Sequence, residues 1–411
     1  MTSTSKSESG VAETVPLSAI VALSCAAFGS GISLRVTDPL LPRLAADFGV
    51  SLGSASYVIT CFAVAYGSAQ LFFGPVGDRF GKYLVIAWAC VASVFAALLC
   101  ALAPSFSTLL LARLVAGSTA AAVIPLSMAW IGDVVPYDQR QPVLARFLIG
   151  QIFGLSSGVF VGGFAADHAS WRTPFFLIAG LFAVISLVLF ASNRRLPAFA
   201  RVTRKAEGHA IARMVTDFSF VLSKPWARVV LGTVFLEGVF LYGAFAFIAS
   251  HLHRVYHLSL STAGAVLVLF GAGGFLYALG SRLLSTRLGE SGLIFSGALI
   301  LLGSLLMTGV GPVWWWAIPG CFLTGLGFYM LHNTLQMNAT QMAAERRGVA
   351  VSAFASCFFM GQSVGVGLAG LLVERSGTAA VIVIGAIGVC LVGLNFWRLQ
   401  PPSRRCLRDV A

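Results

Sequence analysis

Four ionisable side chains, Arg35, Asp38, Arg113 and Glu237, lie in or at the ends of runs of otherwise apolar residues. A charge near the centre of a membrane helix costs about 2.5–3.5 kcal/mol, so it normally faces a partner or a water-filled cavity. Burial favours the neutral form of a carboxylate, whereas a neighbouring cation favours the charged form. Such a set can take up and release protons, and these four residues are the first candidates for chemistry.

The segment Arg35-Val-Thr-Asp38-Pro39-Leu-Leu-Pro42 ends the first apolar run. Residues three apart are neighbours on one helix face, so Arg35 and Asp38 are expected to pair. The prolines interrupt a regular helix and open backbone groups, which a neighbouring helix or a cavity can satisfy. The alternative is that Asp38 is a rim residue that pairs with Arg35 in water.

Glu237 lies deep within the seventh apolar run, about ten residues from its start. Aromatic residues flank it in the sequence: Phe235, Phe240, Tyr242, Phe245 and Phe247. Such rings can form a pocket for an apolar or cationic molecule. Ordinary helix packing is the alternative for the rings.

The tenth apolar run carries polar side chains that share one helical face: Tyr329, His332, Asn333 and Gln336. A polar stripe on a buried helix faces the interior of a helix bundle. These residues are expected either to line a pathway or to bond to neighbouring helices.

The composition identifies the kind of protein in which these residues lie. Of 411 residues, 58% are hydrophobic and 10% are charged, and the mean hydropathy is +0.88. Soluble domains carry about 25% charged residues. We therefore predict a polytopic membrane protein and exclude a disordered chain, a nucleic-acid-binding fold and a disulfide scaffold. The eight cysteines show neither CxxC nor zinc-ligand spacing and are interpreted as small apolar residues.

Apolar runs predict twelve membrane-spanning helices, because helices satisfy their own backbone groups in lipid. The runs lie near 17–37, 55–75, 83–103, 107–131, 143–165, 172–191, 227–249, 263–283, 291–310, 314–336, 349–372 and 379–398. The predicted organisation is a tail (1–16), a six-helix bundle (17–192), a basic central loop (193–226), a second six-helix bundle (227–399) and a tail (400–411). Similar features recur in both halves, as in two-bundle secondary transporters whose site lies between the halves.

The distribution of Lys and Arg predicts the orientation, because cytoplasmic loops carry an excess of these residues. Most of the 27 basic residues fall on one side of the predicted spans, with a cluster in the central loop. Both termini are therefore predicted to be cytoplasmic. The net charge of +12 follows from this topology, so no nucleic-acid partner is expected.

The loop between spans two and three reads Gly74-Pro-Val-Gly-Asp78-Arg79-Phe-Gly81-Lys82. Its glycines permit a tight turn and a close approach of helices. Asp78 is expected to accept hydrogen bonds from the first amides of a neighbouring helix, and such a polar lock would stabilise one gated state. The alternative is a basic turn that only sets topology.

This loop resembles the signature of the major facilitator superfamily. The chain keeps Gly74, Asp78, Arg79, Gly81 and Lys82 of that pattern, but has Val76, Gly77 and Tyr83 where the family has leucine, alanine and a base. Span number, central loop and half-repeat extend the resemblance over nearly the whole chain. The resemblance implies an all-α fold of twelve transmembrane helices in two six-helix bundles.

Two further segments resemble the family and its twelve-spanner drug–proton antiporter branch. Arg113-Leu-Val-Ala-Gly117 matches the family's arginine-x-x-x-glycine pattern, which implies that Arg113 helps in substrate binding or proton transfer. The alternative is that Arg113 only holds two helices together. Asp38 resembles the first-span acidic residue of the antiporters, which implies a part in proton and substrate handling.

The fifth span resembles the antiporter motif but departs from it at one position. Its glycines allow close helix packing and occur in a ladder: Gly150, Gly154, Gly158, Gly162 and Gly163. The antiporters have a proline where this chain has Val159. This departure weakens the case for export.

The sequence therefore predicts a secondary active transporter of a small organic molecule in a bacterial cytoplasmic membrane. Proton-coupled efflux of a drug or metabolite is favoured, with Asp38, Arg113, Glu237 and Arg35 as coupling residues. One alternative is a proton symporter that imports a nutrient, and another is a non-transporting receptor or scaffold, against which the intact Gly74–Lys82 loop argues. The expected partners are the transported molecule, protons and membrane lipid, and the protein is expected to be a monomer. Because no GxxxxGK[ST] loop or metal-ligand cluster occurs, neither a cofactor nor a metal nor enzymatic activity is expected.

Overall fold

The computed structural model of the chain describes residues 17–201 and 210–400. These residues are almost entirely helical, and none of them forms a strand. The predicted tails lie outside the described residues, apart from Gln400.

The first half contains six long helices, which we number α1 to α6. They are α1 (Leu17–Arg35), α2 (Tyr57–Phe80), α3 (Lys82–Ala101), α4 (Phe106–Val134), α5 (Tyr137–His168) and α6 (Thr173–Arg195). Two short helices, Leu41–Phe48 and Leu52–Ala55, connect α1 to α2, and a turn at 121–122 bends α4. Gly81, with φ of 89°, makes the sharp turn between α2 and α3 that the loop sequence predicted.

The second half contains the other six long helices. They are α7 (Pro225–Tyr256), α8 (260–288), α9 (290–310), α10 (Ala317–Gln341), α11 (347–376) and α12 (378–399). The pairs α8–α9 and α11–α12 are separated only by Gly289 and Gly377, whose φ angles of 63° and 76° interrupt the helix. Only glycine adopts such angles readily, so these two residues make the turns. Short helices at Trp314–Trp316 and Ala344–Arg346 complete the half.

Nine segments of the described residues are long and apolar enough to cross a membrane, judged by length and composition. Two of these segments contain the breaks at Gly289 and Gly377. When these two segments are divided at the breaks, and α10 is counted as well, the nine segments become twelve long helices. This number fits the predicted architecture. The helix α10 continues to Gln341, beyond the predicted end at 336, because polar Asn338 is buried and bonds to Glu290 of α9.

The two halves repeat one packing pattern at an offset of 207 residues. In the first half, Gly154 of α5 lies against the Phe28 carbonyl of α1. In the second half, Gly361 of α11 lies against the Phe235 carbonyl of α7, and both members of this pair are 207 residues further along the chain. This correspondence supports the predicted duplication and allows any residue to be compared with its counterpart in the other half.

The halves meet along α2 with α11 and along α5 with α8. The helices α5 and α11 both terminate at one end of the molecule, which we call the Asp167 end. We call the opposite end the Lys82 end. Hydrogen bonds between the halves extend from the Asp167 end to the middle of α2, where the Ser356 hydroxyl donates to the Gly67 carbonyl (2.7 Å). Further toward the Lys82 end, these helices are less closely packed. A Cβ added to Gly74 of α2 would meet no described atom within 4 Å, and the side chain of Leu279 of α8 is exposed. The molecule is therefore closed at its Asp167 end.

The central segment is attached to both halves. Trp130 of α4 donates to the Ala200 carbonyl at 3.0 Å. A helix at Ala210–Ser223, which lies within the predicted loop, binds the second half through the Asp217–Arg346 ion pair. Lys224 adds an ion pair with Glu345 at 3.0 Å.

Candidate functional site

The Arg35–Asp38 pair lies where α1 ends. The helix stops at Arg35 because residues 36–40 form turns that include Pro39. Arg35 Nη1 lies 3.4 Å from Asp38 Oδ2, so the two residues pair as their spacing predicted. Asp38 is completely buried and Arg35 is 4% exposed, so the alternative of a water-exposed rim pair is wrong. The second oxygen of Asp38 has no hydrogen-bond partner among the described atoms.

Arg35 also contacts the second half of the molecule. Its guanidinium carbon lies 3.9 Å from the centre of the Tyr242 ring and 5.6 Å from that of Phe245. Both distances fall in the range of cation–π interactions. Tyr242 is the counterpart of Arg35 at the 207-residue offset, and Phe245 is the counterpart of Asp38. The charged pair of α1 thus faces the aromatic residues that hold the equivalent positions of α7.

An aromatic cluster connects Tyr242 to His332. The Tyr242 ring lies 5.4 Å from Phe358 of α11 and 5.9 Å from Phe328 of α10, both at nearly perpendicular angles. His332 stacks on Phe328 at 4.8 Å and lies 4.6 Å from Phe358. These four residues bring α7, α10 and α11 together beside the interface between the halves.

Glu237 is bound at the far side of this cluster. It is completely buried, and its Oε2 lies 2.8 Å from Nδ1 of His332, while its Oε1 has no partner among the described atoms. The His332 side chain is 15% exposed and is the more accessible partner. A π-helical turn, Gly238–Tyr242, begins directly after Glu237, and such turns are frequent at functional sites.

Arg113 lies in the first half and contacts neither carboxylate within salt-bridge distance. Its guanidinium donates to the Val58 and Ser33 carbonyls (3.2 Å each) and to the Thr37 hydroxyl (3.5 Å). Its charged carbon lies 4.2 Å from the centre of the Phe62 ring. These contacts join α4 to α2 and to the end of α1. They favour the packing alternative for Arg113, in which it holds the segment that carries Asp38.

Two predicted pocket residues of α7 lie away from the cluster. The ring of Phe240 lies against Gly388 of α12 and lines a groove of about 200 Å³ between α7 and α12. Phe235 presents its carbonyl to Gly361 of α11 and has a half-buried side chain. Neither ring stacks on the rings around His332 among the described contacts, and a part for Phe235 and Phe240 in lining a pathway stays a prediction.

The polar stripe of α10 divides among several neighbours. His332 joins the cluster, and Tyr329 lies beside it at 5.1 Å from Phe328. Asn333 is half-buried and its side chain lies near Tyr277 of α8, which is consistent with the helix-bonding alternative. Gln336 is half-buried.

The predicted gating loop forms a local charge cluster at the Lys82 end. Lys82 Nζ lies 2.7 Å from Asp78 Oδ1 and 2.6 Å from Asp133 Oδ2. Asp78 thus pairs with Lys82, the first residue of α3, in place of the predicted helix N-terminus. Arg79 lies over the Phe80 ring at 5.2 Å. The lock expected for Asp78 is therefore not engaged in this state.

The predicted packing glycines lie against backbone carbonyls. Every fourth residue along one face of α5 is a glycine, and each lies against a backbone carbonyl four residues further along the α1 segment. The pairs are Gly150 with Ser24, Gly154 with Phe28, Gly158 with Ile32 and Gly162 with Val36. Gly117 of α4 lies in the same way against Phe62 of α2. A Cβ at any of these positions would clash with backbone, so the close approach needs glycine.

Three residues of this region were not predicted from the sequence. Phe328 and Phe358 are the rings that surround His332. Gln362, one turn after Phe358, is completely buried, and neither polar atom of its side chain has a partner among the described atoms. The eleventh span contains this single amide in an apolar run, which was the available signal. No group of three or more metal-ligating side chains occurs among the described residues.

The comparisons with known proteins agree with this architecture. The model of the Major Facilitator Superfamily matches residues 23–365. The uncharacterized MFS-type transporter YceJ of Bacillus subtilis (strain 168) is 29% identical over 356 residues, which cover 85% of this chain and 87% of that protein. The multidrug export protein EmrB of Escherichia coli (strain K12) is 26% identical over 174 residues, which cover 42% of this chain and 34% of EmrB.

A solved structure shows the same fold at low identity. The nucleoside transporter NupG superimposes with a TM-score of 0.74 at 14% identity, over 94% of this chain and 99% of that chain. At this identity the similarity concerns the fold alone. Because the family model covers most of the chain, and because the long helices of the described residues form two related halves, this protein belongs to the Major Facilitator Superfamily and is an integral membrane transporter.

Proposed function

We propose that this protein exports a small organic molecule from the bacterial cytoplasm in exchange for protons, by alternating access. The observation that carries the proposal is the row of contacts Asp38–Arg35–Tyr242–Phe358–His332–Glu237 across the interface between the halves. It places one fully buried carboxylate in each half, with an aromatic surface between them.

The proposed mechanism is competition for the buried carboxylates. A carboxylate without water is stabilised either by a proton or by a positively polarised group of the cargo. Asp38 and Glu237 each have one oxygen bound to a basic neighbour and one oxygen without a partner among the described atoms. Cargo that contacts these oxygens therefore displaces protons, and protons that return from outside displace the cargo.

The aromatic residues suit an apolar or cationic aromatic cargo. In this state Arg35 occupies the face of Tyr242, at 3.9 Å. A cationic or aromatic molecule competes for the same ring face, because cations and rings both bind aromatic faces. Arg113 contributes indirectly, since its bonds to Ser33 and Thr37 fix the turn that carries Asp38.

The orientation follows from charge. Basic residues accumulate at the Lys82 end, which we assign to the cytoplasm by the positive-inside rule. Closure at the Asp167 end then corresponds to a state that receives cargo from the cytoplasm. The similarity to EmrB, whose name is that of a multidrug exporter, supports export, although it covers 34% of EmrB.

Transport in everted membrane vesicles tests this function. The vesicles have an acidic lumen that corresponds to the outside of the cell, and the probes are ethidium, rhodamine and chloramphenicol. We expect at least one probe to accumulate in the lumen only while the gradient exists and to leak out when an ionophore collapses it. Gradient-driven movement out of preloaded vesicles would support the importer alternative, and the absence of gradient-dependent flux for every probe would contradict the proposal.

A further inference from the structure

Two carboxylates at the Asp167 end join the halves in the same way. Asp167, at the end of α5, accepts hydrogen bonds from the backbone amides of Leu260 (3.2 Å) and Ser261 (2.6 Å) and from the Ser261 hydroxyl (2.7 Å). Leu260 is the first residue of α8, in the other half. Glu374, near the end of α11, accepts from the Gly53 amide at 2.6 Å. Gly53 lies in the first turn of the helical segment Leu52–Phe80 of the first half.

These two contacts are counterparts under the internal repeat. Glu374 follows Asp167 by 207 residues, and Leu260 follows Gly53 by the same number. A capped helix start lies beside each contact, although the two caps are 208 residues apart: the Ser259 hydroxyl accepts from the Thr262 amide, and the Ser51 hydroxyl accepts from the Ser54 amide. Each carboxylate therefore accepts from at least one backbone amide in the first turn after a cap in the opposite half.

The chemistry makes both contacts favourable only while the end is closed. The first amides of a helix have no intrahelical acceptor, and the helix dipole favours a negative charge there. A hydrogen bond from such an amide to a carboxylate is charge-assisted and about twice as strong as a neutral one. When the halves separate at this end, both carboxylates and the helix starts must exchange these bonds for water.

Close backbone contacts surround both carboxylates. Gly163 of α5 lies against the backbone of Leu260 and Gly264 in α8, and Gly370 of α11 lies against Gly53. The glycines let the helices approach closely, so both carboxylates reach backbone amides of the opposite half. The Lys82 end differs, since Asp78 and Asp133 there bind Lys82 within one half.

We propose that Asp167 and Glu374 form a symmetric pair of latches that holds the Asp167 end closed, and that their strength sets the equilibrium between the closed and open states of this end. Each latch contributes through its negative charge on a helix start. Removing one charge shifts the equilibrium toward opening by about threefold to tenfold, and removing both multiplies the two shifts, because the latches do not share a partner.

The test measures conformation and needs no cargo, so it is independent of the proposed export. Spin labels are attached to Ser105→Cys and Val313→Cys, exposed positions on opposite halves at the Asp167 end, after replacement of the eight native cysteines by alanine. Distances between the labels are measured by electron–electron double resonance in nanodiscs. We expect the long-distance fraction to rise in Asp167→Asn and in Glu374→Gln, and to rise most in the double variant.

Two controls separate the latch from a general disturbance of the fold. Asp47→Asn removes a carboxylate at the same end that pairs with Arg43 of its own half, so its distance distribution should match the parent. The charge-keeping Asp167→Glu and Glu374→Asp variants should retain most of the closed population. An unchanged distribution in both single variants would overturn the proposal, as would equal opening in Asp47→Asn. If the double variant does not fold, the single variants still decide between these outcomes.

Discussion

Asp38 and Glu237 have similar surroundings although they lie in different halves and on unrelated sequence motifs. Each is completely buried, and each has one oxygen next to a basic side chain, Arg35 or His332. The sequence indicated both carboxylates, because charged residues are rare in apolar runs, and it indicated the Arg35–Asp38 pair from its spacing. The Glu237–His332 pair was not predictable, because it joins helices 95 residues apart in sequence.

Replacing His332 by Gln tests the pairing of Glu237. The substitution keeps a hydrogen-bonding group but removes the imidazole, whose bond to a charged partner is worth about 1.5–3 kcal/mol. We expect gradient-driven export of the probe to fall about tenfold or more. The control is His253→Gln, because His253 bonds to the Leu258 carbonyl outside the cluster. Export at the parental rate in His332→Gln would contradict the role given to this pair.

Replacing Arg113 by Ala tests its assignment as a residue that holds helices together. The change leaves the Val58 and Ser33 carbonyls without their donor in a buried site. A buried acceptor left without its donor costs about 1–3 kcal/mol, so the unfolding temperature in detergent should fall by several degrees. Arg228→Ala, at an exposed position, should leave this temperature within a degree or two of the parent. A stable Arg113→Ala variant that has lost transport would favour the direct role instead.

At the scale of helices, the sequence predicted the runs and their packing residues better than the directions of individual side chains. The four-residue spacing of glycines in α5 indicated close packing, and α1 provides the carbonyls at the same spacing. Phe240 lies within the π-helical turn Gly238–Tyr242, where ordinary α-helical spacing does not give side-chain directions, and the pathway role of Phe235 and Phe240 stays a prediction. The latches were also missed: neither carboxylate belongs to a known motif, and their equivalence appears only when the two halves are compared at the offset of 207 residues.

The glycine ladder leads to a prediction about stability. A Val side chain at position 154 would meet the backbone of Phe28, which cannot move away without separating α1 from α5. Overpacking costs about 1–3 kcal/mol, and backbone contact places Gly154→Val at the upper end. Gly180→Val in α6 is the matched control, because a Cβ there meets no described atom within 4 Å. The two unfolding temperatures in detergent should therefore differ clearly; equal values would contradict the packing role of Gly154.

At the scale of the whole molecule, the candidate site lies where the two halves touch, so we propose that its chemistry is coupled to the motion of the halves. In this arrangement of the halves, Arg35 of the first half contacts the rings of Tyr242 and Phe245 in the second half. Bonds between the halves continue from this level toward the Asp167 end, whereas Asp78 at the Lys82 end is paired within its own half. The sequence predicted two bundles with a site between them. It did not indicate which end is closed, because that depends on contacts between distant residues.

The central claim is that occupation of the site by cargo displaces protons from Asp38 and Glu237. The most direct measurement is the number of protons released when a transported probe binds to the purified protein in weakly buffered detergent solution. We expect proton release by the parent and by the control double variant Asp47→Asn, Glu345→Gln, because these two carboxylates of the parent pair with surface cations. We expect binding without proton release in the double variant Asp38→Asn, Glu237→Gln. Equal release of protons by that double variant would contradict the proposed competition.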